Sequence, residues 1–394
     1  MHAQAVFYFL YLWGFYMQIR AITNETNIRS RLQQLDVDKG GISILASKHE
    51  HALIEIKDLH VGAANILKQD ALSVGADLAV PKGTVTAQYP RVDALLIGSK
   101  RALQKLVQKE KAQPFGLKEV SRYLQNYFSS FKKEKTQIMG VVNANDDSFF
   151  QGSRFLGKEA LDAIERMMQE GADIIDVGAV SSRPGAAVVD EDEELRRFAP
   201  IADALYESGF FKEVRLSVDS YTPRVVEYAL DCGFDIVNDI TGFENDELCK
   251  LTARYNAEAI IMHMQGRPQT MQYSPTYEDV VVEVYEYLSK QLQKVESFGV
   301  ERIVLDIGIG FGKSLEHNIA LLRHLPHFKT LNRPLLVGAS RKSMIDRISP
   351  SSAERRLGGT LALHLKAARD GADILRVHDV FEHVQALRVE EALL

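Results

Sequence analysis

Beyond about residue 135 the chain alternates between two apolar patterns. Short runs that are apolar almost throughout are separated by longer stretches in which apolar residues recur every three or four positions. The short runs are QIMGVVN (137–143), DIIDVG (173–178), VRLSVD (214–219), IVNDI (236–240), AIIMHM (259–264), IVLDIG (303–308), PLLVGAS (334–340) and ILRVHD (374–379). Near-continuous apolarity marks strands buried on both faces, as strands of a parallel sheet are. The intervening stretches, such as LDAIERMMQEGAD and PRVVEYALDCGFD, read as amphipathic helices. Gly171, Gly233, Gly299 and Gly371 stand where several of them should stop. Eight successive strand–helix units predict an α/β fold, a closed (β/α)8 TIM barrel over 135–394. An open doubly wound sheet is the competing arrangement.

The N-terminal part has a different rhythm. ALIEIKDL and DALLIGSK predict strands, and NIRSRLQQL, RALQKLVQKEKA and LKEVSRYLQNYFSSF predict helices, so residues 17–134 are expected to form a small α/β module. It carries neither a phosphate loop nor a metal-ligand cluster, and packing or dimerisation is its simplest role. AVFYFLYLWGFYM (5–17) is apolar and aromatic but too short to span a bilayer comfortably, and residues 1–4 before it carry no basic n-region. A translation start at Met17, opening the strand-like MQIRAIT, accounts for residues 1–16 more economically.

Composition narrows the class. The formal net charge of −6 and the absence of a basic run argue against a nucleic-acid partner. Nothing else calls for a membrane partner. The two cysteines, Cys232 and Cys249, have no metal-ligand spacing and fit a reduced, cytoplasmic setting.

Polar residues stand at nearly every strand end or one loop beyond: Asn143, Ser182, Asp219, Asn238, His263, Asp306, Lys342, Arg376 and His378. A closed barrel gathers those ends on one face, where such barrels keep their active sites. Asp219, Asn238 and Asp306 offer carboxylate–amide–carboxylate chemistry, suited to the edge of a flat amino-heterocycle; Lys342 can donate to a ring carbonyl or nitrogen. Arg376 and His378, two apart on one strand, share a face and suit phosphate, with Asn143 on the neighbouring first strand able to ligate Mg2+. For Arg376 alone, an ion pair with Asp379 is the simpler reading. GIGFGK (308–313) is glycine-rich but lacks Walker A spacing.

The segments NANDDSFFQG, DVGAVSSRPGA, SVDS, IVNDITG, MHMQGRPQTMQ, LDIGIGFGKSLEHN, LVGASRKSM and RVHDV occur in this order, one per strand end. Across 136–394 this pattern resembles dihydropteroate synthase. The resemblance implies an enzyme that joins 6-hydroxymethyl-7,8-dihydropterin diphosphate to p-aminobenzoate, releasing pyrophosphate. It implies that Asp219, Asn238, Asp306 and Lys342 hold the pterin, and that Asn143, Arg376 and His378 hold pyrophosphate with Mg2+. Ser182, Arg183 and Pro184, with Phe311 and Ser340, would cover p-aminobenzoate. Asp219, Lys342, Arg376 and His378 would carry catalysis. Sulfonamide-type inhibitors and a homodimer follow from the same resemblance.

The chain departs from the family pattern in both covering loops. Ala144, Asn145 and Asp146 replace Val, Thr and Pro, while Ala179, Val180 and Ser182 replace Gly, Glu and Thr. Ile307 replaces a proline. Two other readings share the Asp219–Asn238–Asp306 floor. A folate-dependent methyltransferase should lack the SRK and RVHD segments, and a non-catalytic pterin-binding paralogue has no need of Arg376, His378 and Asn143 together.

Overall fold

The computed structural model describes residues 27–130, 135–143, 153–180 and 189–393. Residues 1–26, with the proposed start at Met17 and the MQIRAIT strand, lie outside the described residues. The chain divides into two compact units between Lys105 and Leu106, inside the helix Lys100–Glu110. The boundary expected at 134/135 coincides instead with the start of the first barrel strand.

The N-terminal unit is built on an antiparallel sheet of β1 (His51–His60), β2 (Asp77–Ala79) and β3 (Arg91–Ser99), in the order β1-β3-β2. Exposed and buried residues alternate along the start of β1, with His51, Leu53 and Glu55 outward and Ala52 and Ile54 inward. That alternation belongs to a sheet with one covered face. The helix Val61–Val74 buries Ala63, Ala64, Leu67 and Ala71 and stops at Gly75, whose φ of 82° supplies the left-handed turn.

The second unit carries eight parallel strands: β4 (Gln137–Asn143), β5 (Ile174–Gly178), β6 (Arg215–Asp219), β7 (Ile236–Asp239), β8 (Glu258–Met262), β9 (Ile303–Asp306), β10 (Leu335–Val337) and β11 (Ile374–Val377). They close in the order β10-β11-β4-β5-β6-β7-β8-β9, with β11 joined to β4 through Ile374 opposite Gln137. The eight expected strands are therefore all present, trimmed at their ends, and the barrel is closed rather than open. Gly171, Gly233, Gly299 and Gly371 all adopt positive φ at helix ends, as expected.

Strand periodicity sorts the side chains into layers. Met139, Ile174, Ile236, Ile260, Val304, Leu336 and Ile374 come from seven strands and form one buried apolar layer inside the barrel. Alternate residues such as Ile175, Val177, Leu216, Val218, Ile261 and Leu305 point outward into the main core beneath the helices. At the N-terminal end of the strands, Arg215 bonds Asp235 and Glu258 at 3.1 and 3.3 Å. The barrel is thus plugged, and only its C-terminal mouth is left for chemistry.

The helix Leu117–Ser130 belongs to the barrel unit, where the Tyr123 hydroxyl meets His327 Nδ1 at 3.1 Å. Burial, with His324 nearby, pulls the His327 imidazole down to about 4. Its folded value lies below its unfolded value of 6.5, so the unfolded chain gains protons first as pH falls. The stability held by neutral His327 is complete above 6.5 and is lost as pH falls toward 4. Between pH 7.5 and 5 this group should cost about 2 kcal/mol of unfolding free energy. Urea unfolding of wild type and His327→Gln at both pH values should show the variant losing less on acidification. Equal losses would show that His327 is not held neutral.

Candidate active site

Two residues beyond the apolar layer, at the next inward position of each strand, the chemistry changes. At that level stand Asp176, Ser217, Asn238, Asp306 and Arg376, with Val141, Met262 and Gly338 on the remaining strands. Two residues further again stand Asn143, Gly178, Asp219, Ser340 and His378. The mouth of the barrel is therefore two polar tiers resting on an apolar plug.

Arg376 occupies the centre of the deeper tier. Its Nε donates to Asp176 Oδ2 and its terminal nitrogen to Asp219 Oδ2, both at 2.6 Å. Asp176 is fully buried and also accepts from Ser217 Oγ at 2.6 Å and from Asn238 Nδ2 at 3.2 Å. The simpler pairing of Arg376 with Asp379 is not found; Arg341 takes Asp379 instead. Gly178 lies beside Asp219 in register, where a Cβ would come within 3.3 Å of the Asp219 Cβ, so the close approach of the two strands depends on glycine.

The charges set one another. Burial pushes the Asp219 carboxyl up, Arg376 opposes that, and Asp176, Glu194 and Asp239 add to it. Burial raises Asp306 too, against the Gly308 amide at 2.8 Å and the cations Lys342, Arg376 and Lys313. Burial works against the Arg376 cation, but Asp176 and Asp219 outweigh it and leave the guanidinium above its ordinary value. Asp176, Asp219 and Asp306 thus share one cup with Arg376 and Lys342, with Lys313 also acting on Asp306, and a positive charge brought there by a ligand would hold the two raised carboxyls ionised.

The rim comes from three loops. Lys342 Nζ lies 4.3 Å from the centre of the Phe311 ring, a cation–π contact that sets both groups beside the glycine-rich segment. Phe311 packs with Ile240, Met262 and Met271. Ser340 Oγ accepts from the His378 amide at 3.3 Å and contacts His378 Nδ1 at 2.9 Å. Asn143 ends β4 opposite Gly178, half-buried.

GIGFGK is a structural loop rather than a phosphate cradle. Lys313 is buried, and its side-chain nitrogen donates to the carbonyls of Gly308, Phe311 and His263 at 2.8–3.2 Å and lies 2.9 Å from His263 Nδ1. Gly308 has φ +66°, and a Cβ there would lie 1.9 Å from the His263 carbonyl oxygen. His263, one of the strand-end polar residues, is consumed by this arrangement. Burial and the Lys313 cation hold its imidazole down to about 2.

The comparisons with known proteins agree with this geometry. The family model described as pterin binding enzyme matches residues 139–378. A bifunctional dihydropteroate synthase/dihydropteroate reductase of Helicobacter pylori is 37% identical over 94% of this chain and 97% of its own. The crystal structure of the Yersinia pestis dihydropteroate synthase with a sulfonamide drug complex is 38% identical. It has a TM-score of 0.61 and covers 66% of this chain and 94% of that one. The Thermus thermophilus dihydropteroate synthase in complex with 4-aminobenzoate is 41% identical, with a TM-score of 0.60, over 67% of this chain and 96% of that one.

This chain belongs to the dihydropteroate synthase family. Of the residues that the family pattern implicates, Asp219, Asn238, Asp306, Lys342, Phe311, Ser340, Arg376, His378 and Asn143 all stand at the barrel mouth. Ser182, Arg183 and Pro184, and the altered positions Ala144, Asn145 and Asp146, lie outside the described residues. Ile307, in place of the family's proline, is fully buried in the outer core. Asp176 is the partner that a search of strand ends passes over. It sits in mid-strand, and the signal that marks it is an acid interrupting the apolar run DIIDVG.

Removing Arg376 should strand two buried carboxylates. Arg376→Leu is expected to lower the unfolding free energy by ~3 kcal/mol, and adding Asp176→Asn should recover part of it. Urea titrations of the single and double variants measure this. A double variant no more stable than the single one would mean that Asp176 does not depend on Arg376.

Proposed function

We propose that this chain is a dihydropteroate synthase. It joins 6-hydroxymethyl-7,8-dihydropterin diphosphate to p-aminobenzoate and releases pyrophosphate and 7,8-dihydropteroate. The observation that carries the reading is the single cup in which Asp219, Asn238, Asp306 and Arg376 meet, in a chain of this family.

The pterin's amino-pyrimidine edge presents adjacent N–H donors, which a buried carboxylate accepts in parallel, while Asn238 serves as both donor and acceptor. Lys342, held beside Phe311, closes one side of the ring. The bond between the pterin methylene carbon and the diphosphate oxygen breaks first, and its electron pair leaves with pyrophosphate. The methylene is then cationic and lies in a cup with three carboxylates, of which Asp219 is assigned the main stabilising role. The arylamine nitrogen attacks that carbon and afterwards loses a proton. Arg376 and His378 take up the charge of the departing anion. Ser182, Arg183 and Pro184, with Phe311 and Ser340, cover the arylamine and keep water from the cation. Sulfonamides compete there as p-aminobenzoate mimics.

Mg2+ fits the donor set at Asn143. Among the described residues no group of three or more His, Cys, Asp or Glu side chains forms a metal cage. The chain offers one hard amide oxygen at the strand end, and Mg2+ typically completes such a site with waters and substrate phosphate oxygens. Bound there, the ion would supply charge neutralisation of the diphosphate. No helix among the described residues is long and apolar enough to cross a membrane. A cytoplasmic setting and a homodimer complete the proposal, the latter tested by sedimentation.

Purified protein given the pterin diphosphate, p-aminobenzoate and Mg2+ should release pyrophosphate only when the arylamine is present. Asp219→Ala should lose pterin binding and at least ~100-fold in turnover together. Chelation by EDTA should stop turnover, and added Mg2+ should restore it. Pterin binding without any pyrophosphate release would instead make the chain a non-catalytic paralogue.

A second activity is proposed for the whole chain. The H. pylori relative named for both a synthase and a reductase matches 94% of this chain. The synthase structures cover 66–67% of it, and the family model begins at residue 139, beyond the N-terminal unit. We infer that this unit supports reduction of dihydropteroate, in which a reduced nicotinamide or flavin delivers hydride to C6 and N5 takes a proton. Oxidation of the reductant that depends on dihydropteroate tests it. Synthase turnover without such oxidation would limit the chain to the first activity.

A further inference from the structure

Two buried histidines lie behind the anion-binding end of the site, and the synthase reaction makes no direct use of them. His364, on the helix Leu357–Arg369, and His383, on the helix Val380–Leu393, are 0% and 1% exposed. The Ala339 amide donates to His364 Nε2 at 2.9 Å. His364 Nδ1 lies 2.9 Å from His383 Nε2, and His383 Nδ1 lies 2.5 Å from the Asp379 carbonyl oxygen.

These contacts fix the protons. An amide can only donate, so His364 Nε2 is bare and its proton sits on Nδ1. A carbonyl can only accept, so His383 Nδ1 carries its proton. His383 Nε2 is then the acceptor for His364 Nδ1–H, and both rings are neutral in the Nδ1–H form. A third proton would oppose two donors at one of the contacts. The charged groups around the pair are His378, Asp379 with Arg341 paired to it, and Glu382.

The two ends of this chain of bonds are the informative part. Ala339 immediately precedes Ser340, and Asp379 immediately follows His378. Ser340 and His378 contact each other at 2.9 Å. We propose that His364 and His383 form a neutral imidazole relay that positions the Ser340 and His378 loops against one another, setting the diphosphate end of the site. Both residues are positioning residues, since neither touches substrate. The kinetic part of the proposal rests on the synthase reading; the proton arrangement does not.

The test has three readouts on the full chain. Nitrogen-15 spectra of histidine-labelled protein should show both rings as neutral Nδ1–H tautomers from pH 8 to pH 5. His364→Leu should raise the KM for pterin diphosphate, and the Kd for inorganic pyrophosphate with Mg2+, by about tenfold, with kcat changed far less. His364→Gln places its amide oxygen where Nε2 accepts from Ala339 and should restore both constants to within about threefold of wild type. Should His364→Leu not fold, His383→Asn carries the same test, because it keeps the donor to Asp379 and cuts the link to His364.

Any Nε2–H or cationic ring in that range overturns the relay. Unchanged KM and pyrophosphate affinity in a folded His364→Leu overturns the positioning role, as do equal losses in the Leu and Gln variants. If wild type does not turn over, the synthase reading fails while the spectra and pyrophosphate binding still decide the relay.

Discussion

The barrel mouth is organised by one guanidinium. Arg376 is the cation that permits Asp176 and Asp219 to be buried side by side, 2.6 Å from it on either side. Without it Asp176 and Asp219, in adjacent tiers, would be a pair of like charges above an apolar plug, an arrangement that desolvation makes costly. With it, the two carboxylates are held on one guanidinium, and Asn238 and Ser217 are oriented through their bonds to Asp176. The polar floor is therefore a consequence of charge compensation among the neighbouring strands β5 and β6 and the distant β11, which closure of the barrel brings to them.

A second buried cation has a comparable part in the rim. Lys313 replaces no catalytic group; it gathers three backbone carbonyls and one imidazole nitrogen, and so shapes the loop that carries Phe311. The glycines of GIGFGK are needed because the backbone folds tightly onto His263 and Gln265, leaving no room for a Cβ at Gly308 or Gly312. Phe311 and Lys342 then meet as a consequence of loop shape. In this region the fold invests a charge and several glycines in geometry, and the chemistry is left to the neighbouring side chains.

What could be read beforehand follows the same physics. The barrel was legible because parallel strands buried on both faces leave unbroken apolar runs, and the polar residues ending them stood out against that background. The N-terminal unit was less so. β2 is three residues long, and the helix Val61–Val74 follows β1 without a breaking residue, its start marked by the His60 side chain accepting from Gly62. Asp176, Lys313 and the His364–His383 pair were illegible for a different reason. Their roles are defined by partners that stand in other segments of the chain, and a side chain's partner is not encoded in its own segment.

The depth of Arg376 also changes how the proposed reaction is understood. Sequence spacing groups it with His378 as an anion ligand, yet in the barrel it lies one tier deeper, bonded to the carboxylates of the floor. Asn143, Ser340 and His378 occupy the outer tier, where a diphosphate would lie above a pterin seated on the floor. In the proposed reaction Arg376 would thus stand next to both ligand halves, across the bond that breaks. When that bond breaks, positive charge grows on the floor side and negative charge on the outer side. A guanidinium shared between two carboxylates can lean toward the departing anion while leaving those carboxylates freer to face the cation. A permanent ligand to pyrophosphate could bind the anion but could not release the floor's negative charge at that moment.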